Sequence, residues 1–207
     1  MRRLVLALAL CVGPACGGDS GDDSGDPGDA PDDAGGDHDA SGDDGGDPDA
    51  APPSASCLDY CDSIMATCTG DLAQYKFMPN CLASCALFPA GEEGADSGDS
   101  MGCRLTHAAL AVDEPDPHCR HAGPSGGGVC GAPCDAYCDL MMAVCDLYAD
   151  DGECMEVCSG FPDTVLYSIN ENRGDTVQCR LFHATMASAA DGHCGTASAE
   201  SGPCSAE

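Results

Sequence analysis

The sequence predicts a small, disulfide-rich, mainly α-helical fold built from two tandem homologous modules. Each is expected to be a disulfide-stapled helical hairpin with a third helix and a Gly/Pro-rich loop. Three observations carry this. Cysteine accounts for 18 of 207 residues, while aromatics are only 4% and Trp is absent. An apolar core would be thin, so cross-links must supply much of the stability. An eight-cysteine pattern occurs twice along the chain. Each copy contains two C-x3-C pairs, the spacing that stacks two sulfurs on one helical face.

The formal net charge is −29 and only seven residues are Lys or Arg. Such a chain repels nucleic acid and anionic lipid headgroups alike. Its partners are expected to be cationic or neutral, or to bind a local patch hidden in the totals.

The chain opens Met1-Arg2-Arg3, continues with an apolar run from Leu4 to Val12, and reaches Gly13-Pro14-Ala15-Cys16. The run is too short for a permanent membrane span. A charged start, a short apolar core and small residues before a cut site describe a secretory signal, here residues 1–15. Small residues followed by a cysteine and a polar stretch resemble a bacterial lipoprotein signal, although Gly13 stands where such signals usually carry Leu, Val or Ile. The resemblance implies a lipid on Cys16, which anchors the chain to a membrane. Parity agrees: without Cys11 and Cys16, sixteen cysteines remain, eight in each copy. Cleavage without lipid, giving a secreted protein, would leave an odd exposed thiol. Gly17 follows Cys16 in place of the Asp that marks inner-membrane retention, so the outer membrane or cell surface is expected.

Residues 16–56 read as a disordered tether. From Gly17 to Ser56 there is no Lys, Arg, Leu, Ile, Val or aromatic residue. Nothing there can offset the entropy of ordering. A neutral coil of this length spans about 35 Å, and charge repulsion extends it. The Asp pairs within it lack the spacing of a calcium loop.

After Ser56 the repeat begins. The first copy, 57–131, has Cys57, Cys61, Cys68, Cys81, Cys85, Cys103, Cys119 and Cys130. The second, 132–207, has Cys134, Cys138, Cys145, Cys154, Cys158, Cys179, Cys194 and Cys204. Other residues recur with them: Tyr60 with Tyr137, Phe88-Pro89 with Phe161-Pro162, Cys103-Arg104-Leu105 with Cys179-Arg180-Leu181, and His118-Cys119 with His193-Cys194. This is internal duplication. The pattern resembles tandem cysteine-rich repeats of exported bacterial proteins, a resemblance that implies location and no activity.

Cys57, Cys61, Ile64 and Cys68 form one helical stripe, as do Cys134, Cys138, Met141 and Cys145. The next C-x3-C suits a short partner helix. Antiparallel pairing then predicts Cys57–Cys85 with Cys61–Cys81, and Cys134–Cys158 with Cys138–Cys154. That ladder resembles, in spacing, the α-hairpin staple of small plant and venom peptides. Ser100 and Thr176 are natural caps for a third helix. Residues Pro115 to Gly131 read as loop, from their Gly and Pro content. The four remaining cysteines of each copy allow three connectivities. The favoured set is Cys68–Cys103 with Cys119–Cys130, and Cys145–Cys179 with Cys194–Cys204.

The residues with chemical potential are the repeated histidines. His107 and His118 correspond to His183 and His193, and His121 adds a His-x-x-His in the first copy only. One reading makes them ligands for a transition metal or haem. The structural reading buries each beside a disulfide, bonded to backbone. The latter is favoured, with no cofactor, because two imidazoles per copy are few for zinc. Arg104 and Arg180 are expected in ion pairs with Asp62 and Asp139, and Tyr60 and Tyr137 in the core.

No C-x-x-C is present. Gly123-Pro124-Ser125-Gly126-Gly127 fits G-x-S-x-G by letters only, lacking a strand-turn-helix context. The expectation is therefore a non-enzymatic cell-envelope lipoprotein displaying two binding or structural modules to an envelope or extracellular protein or glycan. The alternative is an envelope metal- or haem-binding protein.

Overall fold

The computed structural model of the chain describes residues 54–189, 192–198 and 202–205. The expected signal, the lipid site at Cys16 and the tether up to residue 53 lie outside the described residues.

The first copy starts with α1, Ala55–Thr67, whose N-terminus is capped by Ser54: its Oγ accepts from the Cys57 N–H at 3.2 Å. Its inner stripe is Cys57, Tyr60, Cys61, Ile64 and Cys68, all buried. A 3-10 turn at Gly70–Leu72 leads to α2, Met78–Cys85, with Pro79 in the first turn, where no donor is required. Disulfides Cys57–Cys85 and Cys61–Cys81 rivet α1 to α2 as two antiparallel C-x3-C turns require. Helix α3, Met101–Leu110, is capped by Ser100, and α4 spans Pro115–Ala122.

The second copy repeats this order. Helix α5, Pro133–Leu140, runs on into a π-helical turn at Met141–Cys145, closed by Asp146 in the left-handed conformation. Helix α6, Asp151–Cys158, is capped by Asp150, and Glu153 reaches back to the Ala149 N–H. Disulfides Cys134–Cys158 and Cys138–Cys154 repeat the ladder. Helix α7, Val177–Ala187, is capped by Thr176, and α8 is the short Cys194–Ala197. The fold is mainly helical, with eight disulfides and no strand among the described residues.

Two expectations need correction. The segment from Pro115 is not loop throughout, since α4 spans Pro115–Ala122, interrupted by the non-helical Asp116 (φ −105°, ψ 118°). Pro residues in a first turn are compatible with helix, because the N–H groups there have no intrahelical partner. The remaining disulfides are Cys68–Cys119 with Cys103–Cys130, and Cys145–Cys194 with Cys179–Cys204, not the favoured set. The cause is the path of the chain after the fourth helix. It returns to the start of α3, where the Gly98 N–H donates to Val129 O at 2.8 Å and sets Cys130 beside Cys103. In the second copy the Gly174 N–H donates to Pro203 O at 2.8 Å, setting Cys204 beside Cys179.

Each copy encloses its own core. One gathers around Tyr60, Ile64 and Tyr75, the other around Tyr137, Met141, Tyr167 and Leu181. The copies also touch. Asn80 donates to Thr185 O at 3.0 Å, the Ile169 N–H to Ala73 O at 2.9 Å, and Arg120 to Tyr167 O at 3.2 Å.

Candidate functional site

Helices α3 and α4 bring the histidines of the first copy together. His107 lies one turn after Cys103 on α3, buried against the Cys103–Cys130 bridge. His118 and His121 share a face of α4, three residues apart. Cys119 between them ties α4 to the end of α1. The Nδ1 atoms of His107 and His118 are 2.8 Å apart. His107 Nε2 lies 3.2 Å from the carbonyl oxygen of Asp96. A carbonyl only accepts, so Nε2 carries the His107 proton and its Nδ1 holds a lone pair. His118 therefore donates through Nδ1.

The second copy repeats the arrangement. His183 Nδ1 and His193 Nδ1 are 3.1 Å apart, and His183 Nε2 bonds Asn172 O at 3.2 Å. Each first histidine thus secures the backbone just ahead of its own helix. Nitrogens this close leave no space for a porphyrin between the two rings of a pair, where axial haem ligands would have to stand.

The copies then diverge. His121 places its ring centroid 4.8 Å from that of His107 and 5.9 Å from that of His118. The ring packs against the Gly127 backbone, where a Cβ would come within 2.9 Å of His121 Cδ2. His121 Nδ1 is buried without a hydrogen-bond partner. Burial, then the neighbouring His107 and His118, hold its pKa below the ordinary imidazole value.

Three residues after His193, the second copy has Thr196. Here the histidine pair borders a pocket of about 470 Å³ lined by Lys76, Arg173, Phe182, Met186 and Thr196 among others. Lys76 comes from the first copy. Burial holds His183 below the ordinary imidazole value, with His193 and Arg173 adding to the effect.

The other cations are committed. Arg104 binds Asp99 at 2.7 Å and stacks its guanidinium carbon 3.8 Å from the Phe88 ring centre. Arg180 does the same with Asp175 at 2.9 Å and Phe161 at 4.0 Å. The expected partners Asp62 and Asp139 are therefore replaced by the aspartates that precede the third helices. Those sit one turn ahead of each arginine, within reach of its fork. Arg120 pairs with Asp116 at 3.4 Å. Among the described residues, Lys76 and Arg173 are the Lys and Arg side chains with no carboxylate within 4.0 Å. Neither was singled out by sequence, because nothing local marks a cation as unpaired.

A larger hollow of about 790 Å³ lies between α1, α2 and α3, lined by Leu82, Phe88, Met101 and Leu105, with Glu93 at its edge. It gathers no cluster of titratable groups. Ser125 is buried in a Gly-rich 3-10 turn, its Oγ facing the Gly127 N–H at 3.4 Å, with no strand before it. No helix among the described residues is long and apolar enough to cross a membrane.

Residues 54–135 match the family described as the BfoA family C-terminal domain. A curated relative, described as an EGF-like domain-containing protein of Acanthamoeba polyphaga mimivirus, is 30% identical over 76 residues. That match covers 35% of this chain and 14% of the relative. No solved structure matches the chain.

Proposed function

We propose that this chain is an exported, non-enzymatic binding protein, held by lipid on Cys16 at the outer membrane or cell surface, with two stapled modules on an acidic tether. The observation that carries the binding role is the convergence of Lys76 and Arg173 on one pocket, beside His183 and His193. In a chain of net charge −29, the two cations of the described region that have no described carboxylate within 4.0 Å line the same pocket. Clustered donors over an apolar floor of Phe182 and Met186 suit an acidic group on an envelope or extracellular protein or glycan.

The scaffold supports the same reading. Both copies keep the cross-links, the Arg–Asp–Phe stack and the histidine pair, while the side chains around that pair differ. The family match to residues 54–135 spans the first copy and ends just inside the second.

The test uses the oxidised chain from Gly17 onward against immobilised acidic glycans and acidic peptides, with neutral counterparts as controls. Binding to an acidic probe that is lost in Lys76→Glu/Arg173→Glu is expected. No binding to any acidic probe, or binding unchanged by charge reversal, would overturn the assignment of this pocket.

A further inference from the structure

We propose that His107, His118 and His121 form a transition-metal site in the first copy, with three imidazole ligands and an open position for water or an external ligand. The candidate ligand atoms of the three residues all lie within 4.8 Å of one another. Two of them, the Nδ1 atoms of His107 and His118, already face each other at 2.8 Å. Nitrogens bound tetrahedrally to one zinc-sized ion at about 2.0–2.1 Å sit roughly 3.3 Å apart, so the pair must open by about half an ångström.

The surroundings are those of a ligand set. His107 donates Nε2–H to the Asp96 carbonyl, which turns its Nδ1 lone pair inward. A backbone carbonyl in that place is a common outer partner of a metal-bound histidine. His121 brings a buried Nδ1 that no protein group satisfies. Leaving such an atom unpaired is costly, and a metal ion would satisfy it. His118 can give up its Nδ1 proton by moving it to Nε2.

Rigidity adds to this. Cys103–Cys130 fixes the helix carrying His107, and Cys68–Cys119 fixes the helix carrying the other two. The ligand geometry is held by covalent bonds in the oxidised protein, without a thiolate in the set. Three imidazoles with an open position suit Zn²⁺, Cu²⁺, Ni²⁺ or Co²⁺ over hard cations. The second copy supplies only two imidazoles, with Thr196 in place of the third. One ion per chain is therefore expected, not one per copy.

The test is titration of the oxidised chain from Gly17 onward with Co²⁺, followed by its visible absorption, and with Zn²⁺ by native mass spectrometry. One ion per chain is expected. His121→Thr, which copies the second module, should weaken binding by roughly 100-fold or more, since loss of an outer partner alone costs 10–100-fold. Circular dichroism and thiol counting would show that the variant remains folded and oxidised. Thr196→His should raise the stoichiometry to two. No tight ion, two ions in the wild type, or unchanged affinity in His121→Thr would each overturn the proposal. The acidic tether is present in every variant, so diffuse binding to it cannot produce the expected difference.

Discussion

The Tyr60 hydroxyl donates to the carbonyl oxygen of Ala122 at 2.6 Å, joining the first helix to the end of the fourth across 62 residues. Tyr75 in turn donates its hydroxyl to Tyr60 at 3.1 Å. In the second copy Tyr137 binds Ala197 O at 3.0 Å and meets Tyr148 at 2.8 Å. Tyr60 and Tyr137 are both fully buried, as expected of core residues. Their hydroxyls are also the polar links that seat the fourth helix of each copy. Burial pushes the Tyr60 pKa up to about 12.

Tyr60→Phe should therefore cost about 1–3 kcal/mol, because it strands a buried carbonyl and removes the acceptor of Tyr75. Urea unfolding of the oxidised chain measures this. A midpoint equal to the wild type would show that the link carries no net stability.

Reduction should abolish the helical circular dichroism of both copies. In the chain-entropy model, the Cys68–Cys119 bridge, with a separation of 51 residues, contributes about 4 kcal/mol. Helical signal surviving complete reduction would contradict a scaffold that depends on its cross-links. Peptide mapping under non-reducing conditions should recover Cys68 with Cys119 and Cys145 with Cys194.

Asp139 makes a pH dependence. Burial, then Asp99, Asp151 and Asp135, push its carboxyl pKa up to about 6, against an ordinary value of 3.8. From about pH 4 to about pH 6 the folded state holds more protons than the unfolded, so this group lowers stability as pH rises through that window. Asp139→Asn should remove that slope. His121 and His183 act in the opposite sense. Their pKa values lie below 6.5 when folded, so the stability they contribute is present above about pH 6.5 and is lost as pH falls toward their folded values. Unfolding midpoints of the wild type and Asp139→Asn across this range would separate the two trends.

Gly131, at the junction of the copies, has φ +122°, and a Cβ there would come within 2.8 Å of Asp99 Oδ1 and 3.1 Å of Arg104 Nη2. Gly131→Ala should cost more than about 1 kcal/mol, from backbone strain and from displacement of the buried ion pair. A thermal shift no larger than that of an exposed Gly→Ala change would argue against this.

Cys16→Ser should abolish incorporation of a clickable fatty acid in a bacterial host and release the chain from the membrane fraction. An unlabelled wild-type chain would sink the lipid-anchor proposal.

The sequence by itself determined what depends on local spacing. Two C-x3-C pairs one turn deep permit one antiparallel ladder, so four disulfides and the hairpins they close were legible. The caps Ser100 and Thr176 were legible because capping is a contact three residues long. The place of Tyr60 and Tyr137 in the core was legible as well. The tertiary structure alone decided what depends on the path of the chain between elements. Cys68 meets Cys119 because α4 is a helix seated by Tyr60. Cys103 meets Cys130 because the chain then returns to Gly98. Arg104 chose Asp99 over Asp62, and Lys76 came to line one pocket with Arg173 of the other copy, through packing that no spacing rule encodes. His121 joined His107 for the same reason: residues 14 apart in sequence converge when two short helices, each pinned by a disulfide, are pressed face to face.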